Sequence, residues 1–146
     1  YEVIKGFDVK LAYKWELAKT TYHAVYLQKP LTNQHKGLIA LSYKTPKHNW
    51  QFDVNMSING KKRLPNSFEG NSGNRYTKAY TLLNAQISKT FKNAELFIGG
   101  ENLTNFKQQD PIIGSDQPFG KTFDTNQVWA PIMGATAYGG FRLFIN

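Results

Sequence analysis

Polar and apolar residues alternate with a period of two along much of this chain. From Trp50 to Ile58 the even positions are apolar (Trp50, Phe52, Val54, Met56, Ile58) and the odd ones polar (Gln51, Asp53, Asn55, Ser57). From Phe7 to Leu17 the parity reverses: Phe7, Val9, Leu11, Tyr13, Trp15 and Leu17 alternate with Asp8, Lys10, Ala12, Lys14 and Glu16. Successive side chains of a strand point to opposite faces, so each segment carries one apolar and one wet face. Seven strands follow from the pattern: about Val3 to Lys14, Thr20 to Leu27, Gly37 to Lys44, Trp50 to Ile58, Tyr80 to Phe91, Ala94 to Glu101 and Thr136 to Ile145. In the second, Tyr22, Ala24 and Tyr26 share a face. No helical periodicity is visible.

The connectors predict how the strands are arranged. Trp15 to Lys19, Thr45 to Asn49 and Lys92-Asn93 are short. Gln28 to Lys36, Asn59 to Lys78 and Asn102 to Ala135 are long and rich in Asn, Gly, Pro and Lys. Strict alternation of tight turns and long loops characterises outer-membrane barrels, whose short turns face the periplasm. Greek-key sandwiches do not sort their loops this way. The expected fold is therefore all-β: an antiparallel transmembrane β-barrel segment, occupying residues 1–146 as one domain.

Aromatic residues sharpen the expectation. Tyr13, Trp15, Tyr43, Trp50 and Phe91 fall on the apolar parity and are expected at the short-turn ends, as membrane-interface aromatics. Lys89 falls on the same parity and would have to snorkel to the interface. On the polar parity, Asp8, Lys10, Lys14, Gln51, Asp53, Asn55, Asn84, Gln86 and Ser88 are expected to face the lumen. A ten-residue strand spans about 33 Å and, tilted by about 40°, covers about 25 Å of membrane height.

The chain has 146 residues, 10 Phe, 8 Tyr, 3 Trp and no cysteine, which excludes disulfides and thiolate metal sites. Its net charge is +8, with one dense cluster at Lys61-Lys62-Arg63. That cluster reads as a solvated loop tip or as a contact for anionic headgroups or ligands. A nucleic-acid partner is not expected, because neither a basic helix nor an aromatic-basic sheet face is evident. No apolar run approaches the roughly 20 residues of a membrane helix, and no signal-peptide pattern opens the chain. An exported protein would then begin upstream, and this chain is expected to be a piece of something longer. An open sheet edge cannot stand in lipid, and bacterial barrels mostly have even strand numbers, which points the same way. With short turns periplasmic, the C-terminus is periplasmic and the first strand descends from an upstream partner.

Several stretches in order resemble the C-terminal end of TonB-dependent outer-membrane receptors. Gly99-Gly100-Glu101-Asn102-Leu103-Thr104-Asn105 resembles the penultimate-strand signature, with Glu101, Asn102, Leu103 and Asn105 on the motif positions. His35 to Tyr43 resembles the strand ending in Leu-x-Tyr, and Asn59-Gly60-Lys61-Lys62-Arg63 the Gly-basic stretch that leaves a later strand. Pro131-Ile132-Met133-Gly134 followed by Tyr138 to Ile145 resembles the entry to the closing strand. The resemblance implies a bacterial outer-membrane barrel of about 22 strands with a plugged lumen. Such receptors import scarce nutrients: iron chelates, cobalamin or glycans. The implied partners are the remaining N-terminal strands and the plug, the TonB complex acting through that plug, and outer-membrane lipid. A surface lipoprotein is a further candidate at the loop side. The family commonly ends on Phe, whereas this chain ends Phe144-Ile145-Asn146.

Candidate chemistry is sparse. His23, His35 and His48 show no metal-ligand spacing. Asp110, Asp116 and Asp124 share the last long loop but match no calcium-loop pattern. No Ser, His and carboxylate are placed as a triad, so no enzyme and no cofactor is expected. Gly99-Gly100 and Gly139-Gly140 should lie on neighbouring strands, where strand glycine often marks a close approach. Asn102-Leu103-Thr104 fits a glycosylation acceptor, taken here as coincidence. Two rivals make different expectations. A smaller, complete porin-like or structural barrel would have an even strand count. A soluble, secreted β-sandwich that binds glycans through exposed aromatics would be a monomer without detergent.

Overall fold

The computed structural model describes residues 2–22, 24–47, 49–64, 76–109, 117–121, 125 and 128–145. His23, His48, Asp110, Asp116 and Asp124 lie outside these residues, as does Asn146. Among the described residues there is no helix. The strands are β1 (Glu2–Ile4), β2 (Phe7–Trp15), β3 (Lys19–Tyr22), β4 (Val25–Gln28), β5 (His35–Lys44), β6 (Trp50–Asn59), β7 (Tyr80–Thr90), β8 (Ala94–Glu101) and β9 (Thr136–Leu143). They form a seven-stranded sheet in the order β1-β2-β5-β6-β7-β8-β9 and a separate hairpin, β3-β4. Every pairing is antiparallel.

The five strands from β5 onward lie close to where alternation puts them. The first predicted strand is split in two and the second is a hairpin. Val3 to Lys14 breaks at Gly6, whose φ is +83° and whose missing Cβ leaves room for the Lys44 carbonyl oxygen. Lys44 N–H donates to the Gly6 carbonyl at 2.7 Å, tying the turn to β5. Only glycine adopts this backbone at so close an approach without strain. Thr20 to Leu27 is no wall strand: it folds back on itself near Ala24, φ 64°. A left-handed alanine costs about 1–2 kcal/mol. Non-local pairing outweighs that cost. Along β2 and β5 the patterns match row by row (Phe7 with Tyr43, Val9 with Leu41, Leu11 with Ile39), over nine register pairs. A strand from Thr20 to Leu27 would put Val25 and Leu27 on one face and Tyr22, Ala24 and Tyr26 on the other. Thr21 and His23 would share the face of Val25 and Leu27, so neither side is uniformly wet.

This revision keeps the sorting of the loops and improves it. Short turns at residues 5–6, 45–49 and 91–93 lie at one end of the sheet. The long connections 16–34, 60–79 and 102–135 leave and re-enter the sheet at the other, and the hairpin β3-β4 belongs to the first of them. The short connector expected at Trp15 to Lys19 is thus the start of a long one. It follows that β2 runs away from the turn end, opposite to the direction expected for the first strand. Tyr13 and Trp15 stand at the loop end, not beside a short turn, because they pair with Gly37 and His35.

The register makes the two faces continuous. Residues opposite one another across antiparallel strands share a face. One row runs Val9, Leu41, Val54, Ala85, Gly100, Ala137; another runs Leu11, Ile39, Met56, Leu83. This apolar face is open: Leu11 is 73% exposed, Ile98 64% and Phe141 68%. Among the described residues the only buried hydrophobic side chain is Ala130, while Asn59, Arg63, Thr77, Ser88, Asn102 and Gln108 are buried. A water-soluble domain has the reverse arrangement. The two edges of the sheet do not meet. From Lys10 to Trp15 the outer edge of β2 has no partner strand among the described residues, and β9 pairs on one side alone.

Candidate functional site

The wet face and the loop end above it are where this chain can meet a solute. Asp8, Ser42, Asp53 and Gln86 form one row across β2, β5, β6 and β7, and Lys10, Ala40, Asn55 and Asn84 the next. Gln51 pairs with Ser88, and Lys14 with Lys36. All the residues expected to face a lumen therefore share the polar face. Ser42 Oγ donates to Asp53 Oδ1 at 2.7 Å, and Gln51 Nε2 donates to both Asp53 oxygens at 3.1 and 3.0 Å. A shallow hollow beside them is lined by Asp8, Lys10, Ser42, Asp53 and Asn55.

The paired glycines have a steric reason. Gly99 lies opposite Tyr138, and a Cβ on it would sit 2.5 Å from the Tyr138 ring. Gly140 lies opposite Phe97, and a Cβ there would come within 2.6 Å of that ring. Two aromatic rings thus lie flat on the wet face of β8 and β9. Tyr138 O–H donates to Gln86 Oε1 at 3.1 Å, and the Arg142 guanidinium sits 5.3 Å over Phe97 while bonding Glu95 at 2.9 Å.

At the loop end the two signatures seen separately in the sequence form one clasp. Asn102, φ 50°, and Asn105, φ 52°, turn the chain out of β8, a conformation asparagine tolerates better than most residues. Asn102 Nδ2 donates to the carbonyls of Phe106 at 2.8 Å and Met133 at 3.1 Å. Asn102 Oδ1 accepts from Phe106 N–H and Thr104 Oγ1, each at 3.1 Å. Asn105 Oδ1 accepts from Ala135 N–H at 3.1 Å, in the space that a Cβ on Gly134 would fill. Gln108 N–H donates to the Pro131 carbonyl at 2.8 Å. Leu103 covers Gly100 on the apolar side, and Glu101 pairs with Thr136 at the rim.

The basic cluster divides. Lys61 is exposed, but Arg63 is 2% exposed and its Nε donates to the Gln28 carbonyl at 2.5 Å. Its own carbonyl accepts from Leu31 N–H at 2.8 Å, so Arg63 pins the foot of the β3-β4 hairpin instead of forming a solvated tip. Lys62 Nζ donates to the Trp129 carbonyl at 2.8 Å and lies 5.8 Å from the Tyr80 ring. Tyr80, Phe106 and Trp129 pack on one another, with Tyr80 and Phe106 stacked at 4.7 Å. Burial, and after it the neighbouring Lys36 ammonium, holds Lys62 below the ordinary lysine pKa. Sequence reading missed Tyr80, Phe106, Gln108 and Trp129, because the loop that brings them together carries no periodicity.

On the apolar face, aromatics gather at both ends. Phe7, Tyr43, Phe52 and Trp50 make successive ring contacts at the turn end, where Lys89 Nζ lies 4.9 Å over Trp50 and Phe91 is exposed. Tyr13 and Trp15 occupy the loop end, and Tyr13 O–H lies 2.6 Å from His35 Nδ1. His35 is thus placed among aromatics, and no group of three His, Asp or Glu able to hold a metal is found among the described residues. Comparison with protein-family models, with curated proteins and with solved structures finds no match to this chain.

Proposed function

We propose that this chain is the C-terminal wall segment of a TonB-dependent outer-membrane receptor that imports a scarce nutrient. The observation that carries the reading is the uncovered, continuous apolar face, banded by aromatics at both ends, with a wet face behind it. Trp50 to Asn59 has 10 residues, about 33 Å along the strand, which tilted by about 40° covers about 25 Å of membrane height. Aliphatic residues fill the middle and amphipathic rings sit where headgroups would lie. The open sheet edges support a larger barrel, since each unpaired backbone group in lipid costs several kcal/mol. On this reading the turn end is periplasmic, the plug lies against the wet face, and the loop end meets the cargo outside. The signature residues Glu101, Asn102, Leu103 and Asn105 hold the last long loop over the barrel rim, and none is assigned to cargo.

The test is biochemical and direct. The intact gene product is extracted from outer-membrane fractions and run, boiled and unboiled, on a denaturing gel. A heat-modifiable band from detergent extracts is expected. Recovery as a dispersed monomer in plain buffer overturns the reading and favours the soluble sandwich.

A further inference from the structure

The loop end of the wet face holds cations that no carboxylate neutralises among the described residues. Lys14, Lys36, Asn59 and Tyr80 form a single row across β2, β5, β6 and β7. Lys14 and Lys36 are directly opposite, an arrangement that destabilises a sheet unless something offsets it. Glu16 offsets the charge of Lys14 through an ion pair. Lys36 and Lys62 have no carboxylate within ion-pair distance among the described residues. Lys62 is anchored through the Trp129 carbonyl, which spends one of its three donors. Beside it, the Tyr80-Phe106-Trp129 stack supplies a rigid apolar wall. Asn59, buried at 6% exposure, fixes the floor through Asn33 Nδ2, which donates to Asn59 Oδ1 at 3.1 Å.

We infer that Lys36 and Lys62 form a binding site for a multivalent oxyanion, a solute carrying several carboxylate or phosphate groups, at the loop end of the wet face. Lys36 lies opposite Asn59 and Asn59 opposite Tyr80, over whose ring Lys62 Nζ stands at 5.8 Å, so two lysines border one row and offer point charges to such an anion. Burial, and after it the Lys36 ammonium, lowers the Lys62 pKa, in keeping with two cations at one rim. The site rests on the reading that the wet face lines a lumen open at the loop end, and it narrows the cargo, or the cargo's chelator, to anionic chemistry.

The experiment uses the intact protein that contains this chain, in lipid vesicles. Citrate and inorganic pyrophosphate are titrated separately by calorimetry, without energisation by a TonB complex. At least one is expected to saturate, with citrate identifying carboxylate chemistry and pyrophosphate identifying phosphate. Lys36→Gln and Lys62→Gln should each weaken that binding about tenfold. Lys36→Arg should retain it, and Lys92→Gln at the turn end should leave it unchanged. Heat-modifiable mobility, measured on every variant, separates loss of the site from loss of the fold. A protein that lacks this mobility overturns the membrane reading on which the site rests. A folded protein that binds neither anion, or binds equally well after both lysine substitutions, overturns the site alone.

Discussion

Single residues decide how the loop end is held. The Asn102 side chain makes two donated and two accepted hydrogen bonds from a left-handed backbone. Asn102→Ala should therefore cost about 3 kcal/mol in the urea unfolding of vesicle-folded protein. Asn102→Gly, which relieves the backbone but loses the bonds, should recover only about 1 kcal/mol of that. An unchanged midpoint for Asn102→Ala would show that the clasp contributes nothing. The glycines of the wet face make a second case. Gly140→Ala drives a methyl into the Phe97 ring and should cost about 1–3 kcal/mol. Phe97→Leu in the same chain should restore much of the loss, because the two changes share one contact. At this scale the sequence disclosed residue types and spacing. It showed asparagine and glycine where a left-handed turn or a close approach would need them. It could not show that Asn105 and Gly134, far apart in the chain, answer one another across the loop end.

Strands are the scale at which amphipathic pattern has most authority. From β5 to β9 the alternation located each strand because most positions keep one apolar and one polar parity, despite exceptions such as Leu38, Lys89, Phe97 and Tyr138. It failed at Gly6 and at Ala24, where the local pattern continues but the chain turns. Gly6 had a readable signal, glycine between two alternating stretches. Ala24 had none, since the pairing of β2 with β5 decided the matter from a distance. The faces themselves are open to a paired test. Val54 and Asn55 are adjacent at the middle of β6 and point to opposite sides. Val54→Lys should destabilise the vesicle-folded protein by about 2–4 kcal/mol, while Asn55→Lys should change it little. Equal effects of the two substitutions would mean that neither face meets lipid.

At the scale of the molecule, the telling fact is where apolar surface is left uncovered. The sheet's hydrophobic side is covered by nothing among the described residues, and on the proposed reading its aromatic bands lie at the two faces of a bilayer. Single-tryptophan variants separate the outcomes. Trp15 and Trp50, at opposite ends of the apolar face, should be quenched by lipids brominated near the headgroup. Trp129, packed against Tyr80 and Phe106 beyond the loop end, should be insensitive to them. Quenching confined to Trp129 would contradict the membrane assignment. Tyr13 and Trp15 stand at the loop rim and not at the short-turn end that the sequence predicts, because β2 runs in the opposite direction.

By itself the amino-acid order determined that the chain is all-β, that most strands have a wet and a greasy side, and that turns and long loops sort to opposite ends. Period-two alternation is a local property of the backbone, so it is written into consecutive residues. The tertiary structure decided which segments pair and which way the first long strand runs. It also brought Lys36, Lys62, Tyr80 and Trp129 together at one rim. Those outcomes depend on hydrogen bonds between residues distant in the chain, and they are settled by which whole rows of side chains match across the sheet.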